Sequence, residues 1–440
     1  MERRIPIRSP HGAHPHHAVH PERLGPLVAA LVVATLIVVA LIAYRPGLAP
    51  LIIGLALGAL LIALRRLTVR PGESALPGSV AATSLRMVPP EQVPTSVDAV
   101  MAVRLATTRA HAALFRGPLR TTPEEAYAHV AAEFPRHTVV LAEDPEVGAR
   151  LAIVPSLPRR AAAYRPILAI ALLAITFVTT TLAGAVYVGI NLETEPFRLA
   201  AGLPYSLGLL AILGVHELGH YIAARRHGMN VSLPYFIPAP VALGTFGAFI
   251  QLRSPAENRR TLFDMAIAGP LAGLAVALPI LWLGLSDSAV GTTATVAPDF
   301  GRPTANSSLL LGLIARAALS TPITADTILI LSPLAFAGWL GLFVTALNLI
   351  PVGELDGGHI VHAMFGARLG EIIGSGALVA LFAIALFAVP GLLLWAILVF
   401  AIAGRTIPPK NDLTPLTPGR RALGWFAVTV FLAIVIPYPA

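Results

Sequence analysis

The clearest chemical signal in the sequence is the run HELGH at 216–220, which follows the apolar stretch 209–215. Residues four apart share one face of a helix, so His216 and His220 can bind a single Zn²⁺ ion. Glu217 stands beside the first histidine, where a carboxylate can reach a metal-bound water as general base. Zinc lowers the pKa of such a water toward about 7 and polarises a carbonyl. The spacing therefore predicts a hydrolytic zinc site inside an apolar segment.

A catalytic zinc ion usually has three protein ligands and one open position, so a third ligand is expected from another helix. Asp356 is the best candidate, because it follows a predicted span on the same side of the membrane as the two histidines. An aspartate before two glycines is, taken alone, more typical of a turn. Glu354, His359 and His362 are nearby rivals, and Glu354 is the hardest of them to exclude.

Most of the chain is predicted to lie in a lipid bilayer. Of its 440 residues, 56% are hydrophobic and 12% are charged, which is more apolar than a soluble domain. A spanning helix needs about 20 apolar residues. The predicted spans are 25–43, 47–64, 166–190, 200–223, 262–285, 324–350, 372–389, 391–404 and 421–438. Because Pro390 and Gly391 separate two short runs, that pair can instead form a tight hairpin or a partly re-entrant segment.

Arginines beside these spans predict the orientation of the protein. Cytoplasmic ends of spans carry an excess of Lys and Arg, so the arginine pairs at 3–4, 65–66 and 225–226 place the N-terminus and the metal site toward the cytoplasm. The net charge of +8 has the same explanation, and no nucleic-acid partner is expected. The chain has no cysteine, which excludes disulfides, iron–sulfur clusters and thiol catalysis. Lys410 is the only lysine, a bias typical of G+C-rich bacterial genes, and it favours a bacterial plasma membrane.

The predicted fold class is an all-α polytopic membrane protein with about nine transmembrane helices, a small cytoplasmic α+β domain and a re-entrant β-like segment. Four parts are expected along the chain. They are a disordered His- and Pro-rich tail at 1–24, a transmembrane hairpin at 25–66, the α+β domain at 67–165 and the metal-binding membrane core at 166–440.

Within the α+β domain, strands are expected at 99–106, 137–142 and 150–154. A helix is expected to begin after Thr122, because a threonine followed by proline and then by Glu125 is typical of a capping box. The sequence of this domain indicates no ligand and does not decide whether it recognises substrate, regulates access or binds a partner.

Segment 232–252 is apolar and β-prone but broken by prolines and glycines, so it is too short to span twice. A re-entrant loop or hairpin is expected. Its free edge could pair with an unwound substrate by strand addition, which makes Gly244, Phe246 and Gly247 candidate substrate-binding residues. A plug that only shields the site is an equal alternative, and Gly247 also suits close packing.

HELGH in a predicted span and the distant run NLIPVGELDGG at 348–358 together resemble the site-2 protease family of intramembrane zinc metalloproteases. The resemblance implies that His216, His220 and Asp356 bind one Zn²⁺ ion per chain and that Glu217 is catalytic. It further implies that Asn348 holds substrate or stabilises the developing oxyanion. A helix-end amide that bonds to a freed carbonyl is an equal alternative for that asparagine.

Three further runs, FRGPLR at 115–120, GTFGAFI at 244–250 and AGPLAG at 268–273, resemble one subgroup of that family. This subgroup contains the chloroplast yellow-green and gravitropism-linked proteases and their bacterial relatives. The resemblance covers roughly residue 85 to the C-terminus.

These features favour an endopeptidase whose partners are the lipid bilayer and transmembrane protein substrates. A proteolytically silent, zinc-binding membrane scaffold or chaperone is an alternative, but it would have no need of Glu217. A transporter with an intramembrane metal site is less compatible, because the expected ligands gather at one face and no inverted repeat is visible. The physiological substrate and the oligomeric state are not indicated by the sequence.

Overall fold

A computed structural model describes residues 86–87, 89, 92–109, 112–156, 165–239, 243–293, 302–319, 322–324, 326–387, 392–402 and 408–439. The predicted tail at 1–24 and the predicted hairpin at 25–66 lie outside the described residues. The chain separates into two compact units. The first unit comprises the described residues before 163 together with residues 255–260 and 407–416, and the second comprises 163–254, 261–406 and 417–440.

The first unit is built on a five-stranded antiparallel sheet with the strand order β1-β2-β3-β5-β4. Its strands are β1 (Arg86–Met87), β2 (Leu105–Arg109), β3 (Ala112–Gly117), β4 (His137–Asp144) and β5 (Gly148–Pro155), and its helices are α1 (Thr95–Val100) and α2 (Pro123–Glu133). Val97, Phe115, Val130, Leu141 and Leu151 form the centre of the core between helices and sheet. Burial of such side chains contributes about 1.5–3 kcal/mol each.

The predicted capping box at the start of α2 is confirmed. Thr122 Oγ1 accepts from the amide of Glu125, and the Glu125 carboxylate accepts from the amide of Thr122, both at 3.3 Å. The strand predicted at 99–106 was wrong in its first half, because Thr95–Val100 is helical and β2 begins only at Leu105. Val97 and Val100 are three residues apart and both buried, a helical spacing that overrides their β propensity.

Two segments that are distant in the chain pack beside the outer edge of β4. The amide of Leu141 on β4 donates to the carbonyl of Lys410 at 2.7 Å, and the amide of Asp412 donates back to Leu141 at 2.7 Å. The amide of Asn411 in turn donates to the carbonyl of Glu257 at 2.9 Å. The edge of β4 is therefore paired at Leu141, where a free edge would offer a site for unwanted strand addition.

The second unit is mostly helical, as the predicted fold class requires. Its helices are α3 (Pro166–Tyr187), α4 (Leu203–Arg226), α5 (Arg259–Leu285), α6 (Leu309–Ala318), α7 (Pro333–Leu349), α8 (Asp356–Phe365), α9 (Ala367–Phe387), α10 (Leu393–Ile402) and α11 (Pro418–Val435). Its short strands are β6 (Tyr235–Pro238), β7 (Thr245–Phe249), β8 (Ala289–Thr292) and β9 (Thr327–Ile330). Arg259, the first residue of α5, belongs to the first unit.

Among the described residues, five helical segments are long and apolar enough to cross a membrane: Pro166–Tyr187, Pro196–Arg226, Arg259–Leu285, Ala367–Leu386 and Pro418–Val435. The chain is accordingly a multi-pass membrane protein. The count of nine spans stays a prediction.

The span predicted at 324–350 was too long. Thr327–Ile330 is strand β9, paired antiparallel with β8, and the helix starts only at Pro333. Ser332 caps that helix by accepting from the amide of Ala335 at 3.2 Å. Hydropathy alone does not separate a buried strand from a helix, whereas the serine–proline pair marks the boundary.

The β-prone segment 232–252 forms an antiparallel hairpin of β6 and β7 with an irregular register between Phe236 and Pro238. Its entry into a membrane stays a prediction.

Candidate metal centre

Helix α4 carries His216, Glu217 and His220, and each of these side chains is buried. The two histidines lie one turn apart, so their rings point to the same side of the helix. Their Nε2 atoms are 3.1 Å from each other. The arrangement expected from HELGH is therefore present in three dimensions.

Asp356 reaches this pair as the first residue of α8. The chain leaves α7 at Leu349 and turns sharply, and an added Cβ on Gly357 would overlap the Leu349 carbonyl. The glycine therefore allows α8 to begin directly against the end of α7. Asp356 is thus part of a helix start rather than of a free turn, which holds its carboxylate in one direction.

The three side chains converge on one point. Asp356 Oδ2 lies 3.3 Å from His216 Nε2 and 3.2 Å from His220 Nε2. Zinc bonds to nitrogen and oxygen of about 2.0–2.1 Å in a tetrahedral site place ligand atoms about 3.3 Å apart. The separations among the three atoms match that value, and two imidazoles with one carboxylate are a donor set typical of zinc. The residues present fit a zinc ion.

The protonation of His220 supports the same assignment. Its Nδ1 lies 2.8 Å from the carbonyl oxygen of Met265 on α5. A carbonyl can only accept, so Nδ1 carries the proton, and the Nε2 of a neutral ring then presents a lone pair. That lone pair faces the carboxylate of Asp356. With the ring neutral, this lone pair and the carboxylate are both acceptors, and a metal ion at the centre of the cluster would satisfy both.

Helix α5 passes unusually close to the two rings. A Cβ on Gly269 would overlap the imidazole of His220, and a Cβ on Gly273 would lie 3.1 Å from Cβ and 3.2 Å from Nδ1 of His216. These glycines, four residues apart, form one face of α5. The family resemblance of AGPLAG indicated neither the histidines as packing partners of α5 nor the Met265 carbonyl as a partner of His220. The glycines are spaced four residues apart, as the histidines are, and this shared spacing is the signal that could have indicated their packing.

Asn348, near the end of α7, lies at the same site. Its Nδ2 atom is 3.3 Å from His216 Nε2. The amide is thus close enough to act on a group bound at the cluster.

The rivals of Asp356 do not join the cluster. Among the described residues, the group of His, Asp and Glu donors close enough to share a metal ion consists of His216, His220 and Asp356. Glu354 is exposed, and His362 is buried elsewhere on α8. His359 lies three residues after Asp356, but its ring is not part of the group, and its Nδ1 is buried without a hydrogen-bond partner among the described residues.

The β6–β7 hairpin ends at the predicted general base. The backbone amide of Ile250, directly after β7, interacts with the Glu217 carboxylate. At its other end, Thr179 on α3 donates to the carbonyl of Gly244 at 2.6 Å, which anchors the turn. Phe246 is partly exposed, and Gly247 adopts a positive φ of 101° with open space beside it. The end of the hairpin at Ile250 thus lies next to Glu217. Gly244 lies at the opposite end, in the turn that is anchored to α3.

Comparison with known proteins gives a consistent result. The model of peptidase family M50 matches residues 204–390. The chain is 37% identical over 239 residues to "Probable zinc metalloprotease EGY1, chloroplastic" of Arabidopsis thaliana, covering 54% of this chain and 43% of that protein. It is 33% identical over 243 residues to "Probable zinc metalloprotease EGY2, chloroplastic" of Oryza sativa subsp. indica, covering 55% of this chain and 44% of that protein.

The chain therefore spans less than half the length of these curated relatives. The resemblance to the site-2 protease family and to its chloroplast-containing subgroup is confirmed by both kinds of match. Both relatives carry chloroplast names, so the comparisons lend no support to the predicted bacterial plasma membrane.

Proposed function

Residues 204–390 of this chain match the model of peptidase family M50, and on that premise we propose that the protein is an intramembrane zinc metalloendopeptidase. It hydrolyses peptide bonds in or near the transmembrane segments of membrane proteins. The observation that carries this proposal is that Asp356 on α8 converges with His216 and His220, which lie with Glu217 on a helix apolar enough to cross a membrane. Ionisable groups in such a helix are costly and usually functional.

His216, His220 and Asp356 would hold one Zn²⁺ ion. When bound, zinc supplies a Lewis acid for the scissile carbonyl and makes water a nucleophile near neutral pH. Glu217 is the base that takes the proton from the attacking water, and it then delivers the proton to the leaving amine. Its buried position keeps competing water away from that proton transfer.

Asn348 supplies the hydrogen-bond donor for the negative charge that develops on the carbonyl oxygen. Its amide group already lies 3.3 Å from His216 Nε2, at the edge of the ligand cluster. Such a donor contributes about 10²–10³-fold to turnover in other acyl-transfer enzymes.

The β6–β7 hairpin would hold the substrate in an extended form. A transmembrane helix buries its peptide bonds in its own hydrogen bonds, so it must unwind before hydrolysis. Strand β7 leads to Ile250 and hence to Glu217, so a substrate strand paired with β7 would run toward the base. Phe246 and Gly247 would contact that strand, whereas Gly244 would keep the hairpin turn fixed against α3.

The active site would face the cytoplasm, and the 440 residues would form about nine spans. The arginines in the last turn of α4 support this orientation, since Arg225 and Arg226 end the helix that carries HELGH.

The test is cleavage of a panel of tagged single-span substrates by the full chain in membranes, with bound zinc measured in each preparation. Glu217→Gln should retain zinc and lose cleavage, since the amide binds no proton from water. Asn348→Ala should retain zinc and lose about 10²–10³-fold in kcat. Thr345→Ala is the matched control, because among the described residues its hydroxyl bonds to the Gly341 carbonyl of its own helix alone, at 2.8 Å.

Cleavage by Glu217→Gln at the parent rate would refute the assigned base. A parent protein that binds zinc but cleaves no member of a broad panel would favour the silent scaffold. A parent protein without zinc would refute the metal site.

A further inference from the structure

A charged cluster joins three helices beside the metal centre. Asp264 on α5 accepts two hydrogen bonds from Arg420 on α11, with Nε to Oδ1 and Nη2 to Oδ2 both at 2.7 Å. His227, which caps the C-terminal end of α4, places its Nε2 3.1 Å from Asp264 Oδ2. The side chains are 25–32% exposed, so the cluster is partly shielded from solvent. We call these three residues the Asp264 clasp.

The clasp adjoins the backbone group that orients a predicted zinc ligand. Asp264 immediately precedes Met265, whose carbonyl oxygen lies 2.8 Å from His220 Nδ1. His227 is two turns beyond His220 on the same face of α4. Helices α4 and α5 are thus joined at two neighbouring points, one through the Met265 carbonyl and the other through the Asp264 carboxylate.

We propose that Asp264 and Arg420 are positioning residues for the metal centre, and this rests on the proposed function. A guanidinium that binds a carboxylate through two parallel bonds fixes direction as well as distance. With its carboxylate held by α11, the first turns of α5 cannot slide along α4. The Met265 carbonyl then stays aligned with His220 Nδ1, which keeps the proton on that nitrogen and directs the Nε2 lone pair to the metal.

Close packing of α4 and α5 makes this alignment sensitive to small shifts. Gly219 on α4 is so close to α5 that an added Cβ would lie 2.5 Å from the Ala268 carbonyl oxygen. Helices in such contact have few intermediate arrangements, so a loosened clasp should move the carbonyl and the ring together. Partners of metal-ligating histidines typically change metal affinity about 10–100-fold when removed.

The experiment compares metal binding by the full chain in lipid or detergent for the parent, Asp264→Asn and Arg420→Lys. Zinc affinity is measured by competition with a chelator, and the ligand field by the absorption spectrum of the Co²⁺-loaded protein. Asp264→Asn should weaken zinc binding about 10–100-fold and shift the Co²⁺ spectrum. Arg420→Lys retains the charge but not the paired geometry, and it should give a smaller change in the same direction.

Glu195→Gln is the matched control, because it removes an exposed ion pair with Arg198 at 3.1 Å in the same unit. It should change neither zinc affinity nor spectrum. A lower unfolding temperature for Asp264→Asn with unchanged zinc affinity and spectrum would overturn the proposal and leave the clasp a stabilising ion pair. Failure of the parent to bind zinc or to cleave substrate would instead count against the proposed function, so the two failures are distinguishable.

Discussion

Gly269→Ala should disturb the metal centre through a single added methyl group. The new Cβ would overlap the imidazole of His220, so either the ring must rotate or α5 must move away from α4. Both movements break the alignment of His220 Nδ1 with the Met265 carbonyl, now 2.8 Å. Overpacking of this kind costs about 1–3 kcal/mol.

Gly269→Ala should change folding stability and zinc binding by different amounts. Alanine is favoured over glycine within a helix by about 1 kcal/mol, which offsets part of the overpacking cost. The net loss of folding stability should therefore be at most about 2 kcal/mol. The misdirected ring should weaken zinc binding about 10–100-fold, which corresponds to about 1.4–2.7 kcal/mol of binding free energy.

Alanine substitutions at three glycines with different amounts of space around them separate the steric effect from helix propensity. At Gly273 the added Cβ would lie 3.1 Å from Cβ of His216, a contact that a small shift can relieve. At Gly376 on α9 an added Cβ meets nothing within 4 Å. Zinc affinity should therefore fall most for Gly269→Ala, less for Gly273→Ala and not at all for Gly376→Ala.

The assay is chelator competition for zinc on the full chain in detergent, together with thermal unfolding of the metal-free protein. Equal zinc affinity for Gly269→Ala and Gly376→Ala would refute the claim that α5 packs directly against His220. A parallel loss at all three positions would show that the membrane helices respond to any added methyl group rather than to contact with the histidines.

Three further results are expected. Asp356→Ala should abolish stoichiometric zinc binding, whereas Glu354→Ala should retain it; the reverse result, read from bound zinc after gel filtration, would make Glu354 the third ligand. Hydrogen bonds from Arg116 hold the pKa of Asp144 at about 2, below its ordinary 3.8, so the stability that this pair contributes is present above pH 4 and lost as the pH falls toward 2. Pepsin cleavage between residues 137 and 155 should therefore rise in the parent as the pH falls from 4 toward 2, when it is normalised at each pH to cleavage of the unfolded chain. Asp144→Asn should remove this pH dependence. Gly244→Ala should retain zinc but lose cleavage, because φ is +76° there and the new Cβ would lie 2.5 Å from the backbone of α3; unimpaired cleavage would exclude a role for the hairpin turn.

The sequence by itself determined the local features of this protein. The four-residue spacing of His216 and His220 places them on one helical face in any α-helix, and the capping box at Thr122 depends only on neighbouring residues. Apolar runs identified the five long helices to within a few residues, because the length needed to cross a bilayer is a local property.

Local sequence patterns did not decide between helix and strand where the same composition suits both. The short apolar run before Pro333 suits a helix or a strand. It forms strand β9 because it pairs with β8, which lies some forty residues earlier in the chain. Thr95–Val100 became a helix because the core selects the spacing of Val97 and Val100. In both cases a distant contact decided between two locally acceptable conformations.

Only the tertiary structure decided which carboxylate meets the histidines and what holds them in place. Asp356 and Glu354 are two residues apart in the chain, and their separation from His216 and His220 depends on how α8 starts against α7. The Met265 carbonyl carries no sequence signal at all, because every residue has one. Its role follows from the approach of α5 to α4, a contact between helices that depends on the packing of the whole unit and on side chains far apart in the chain.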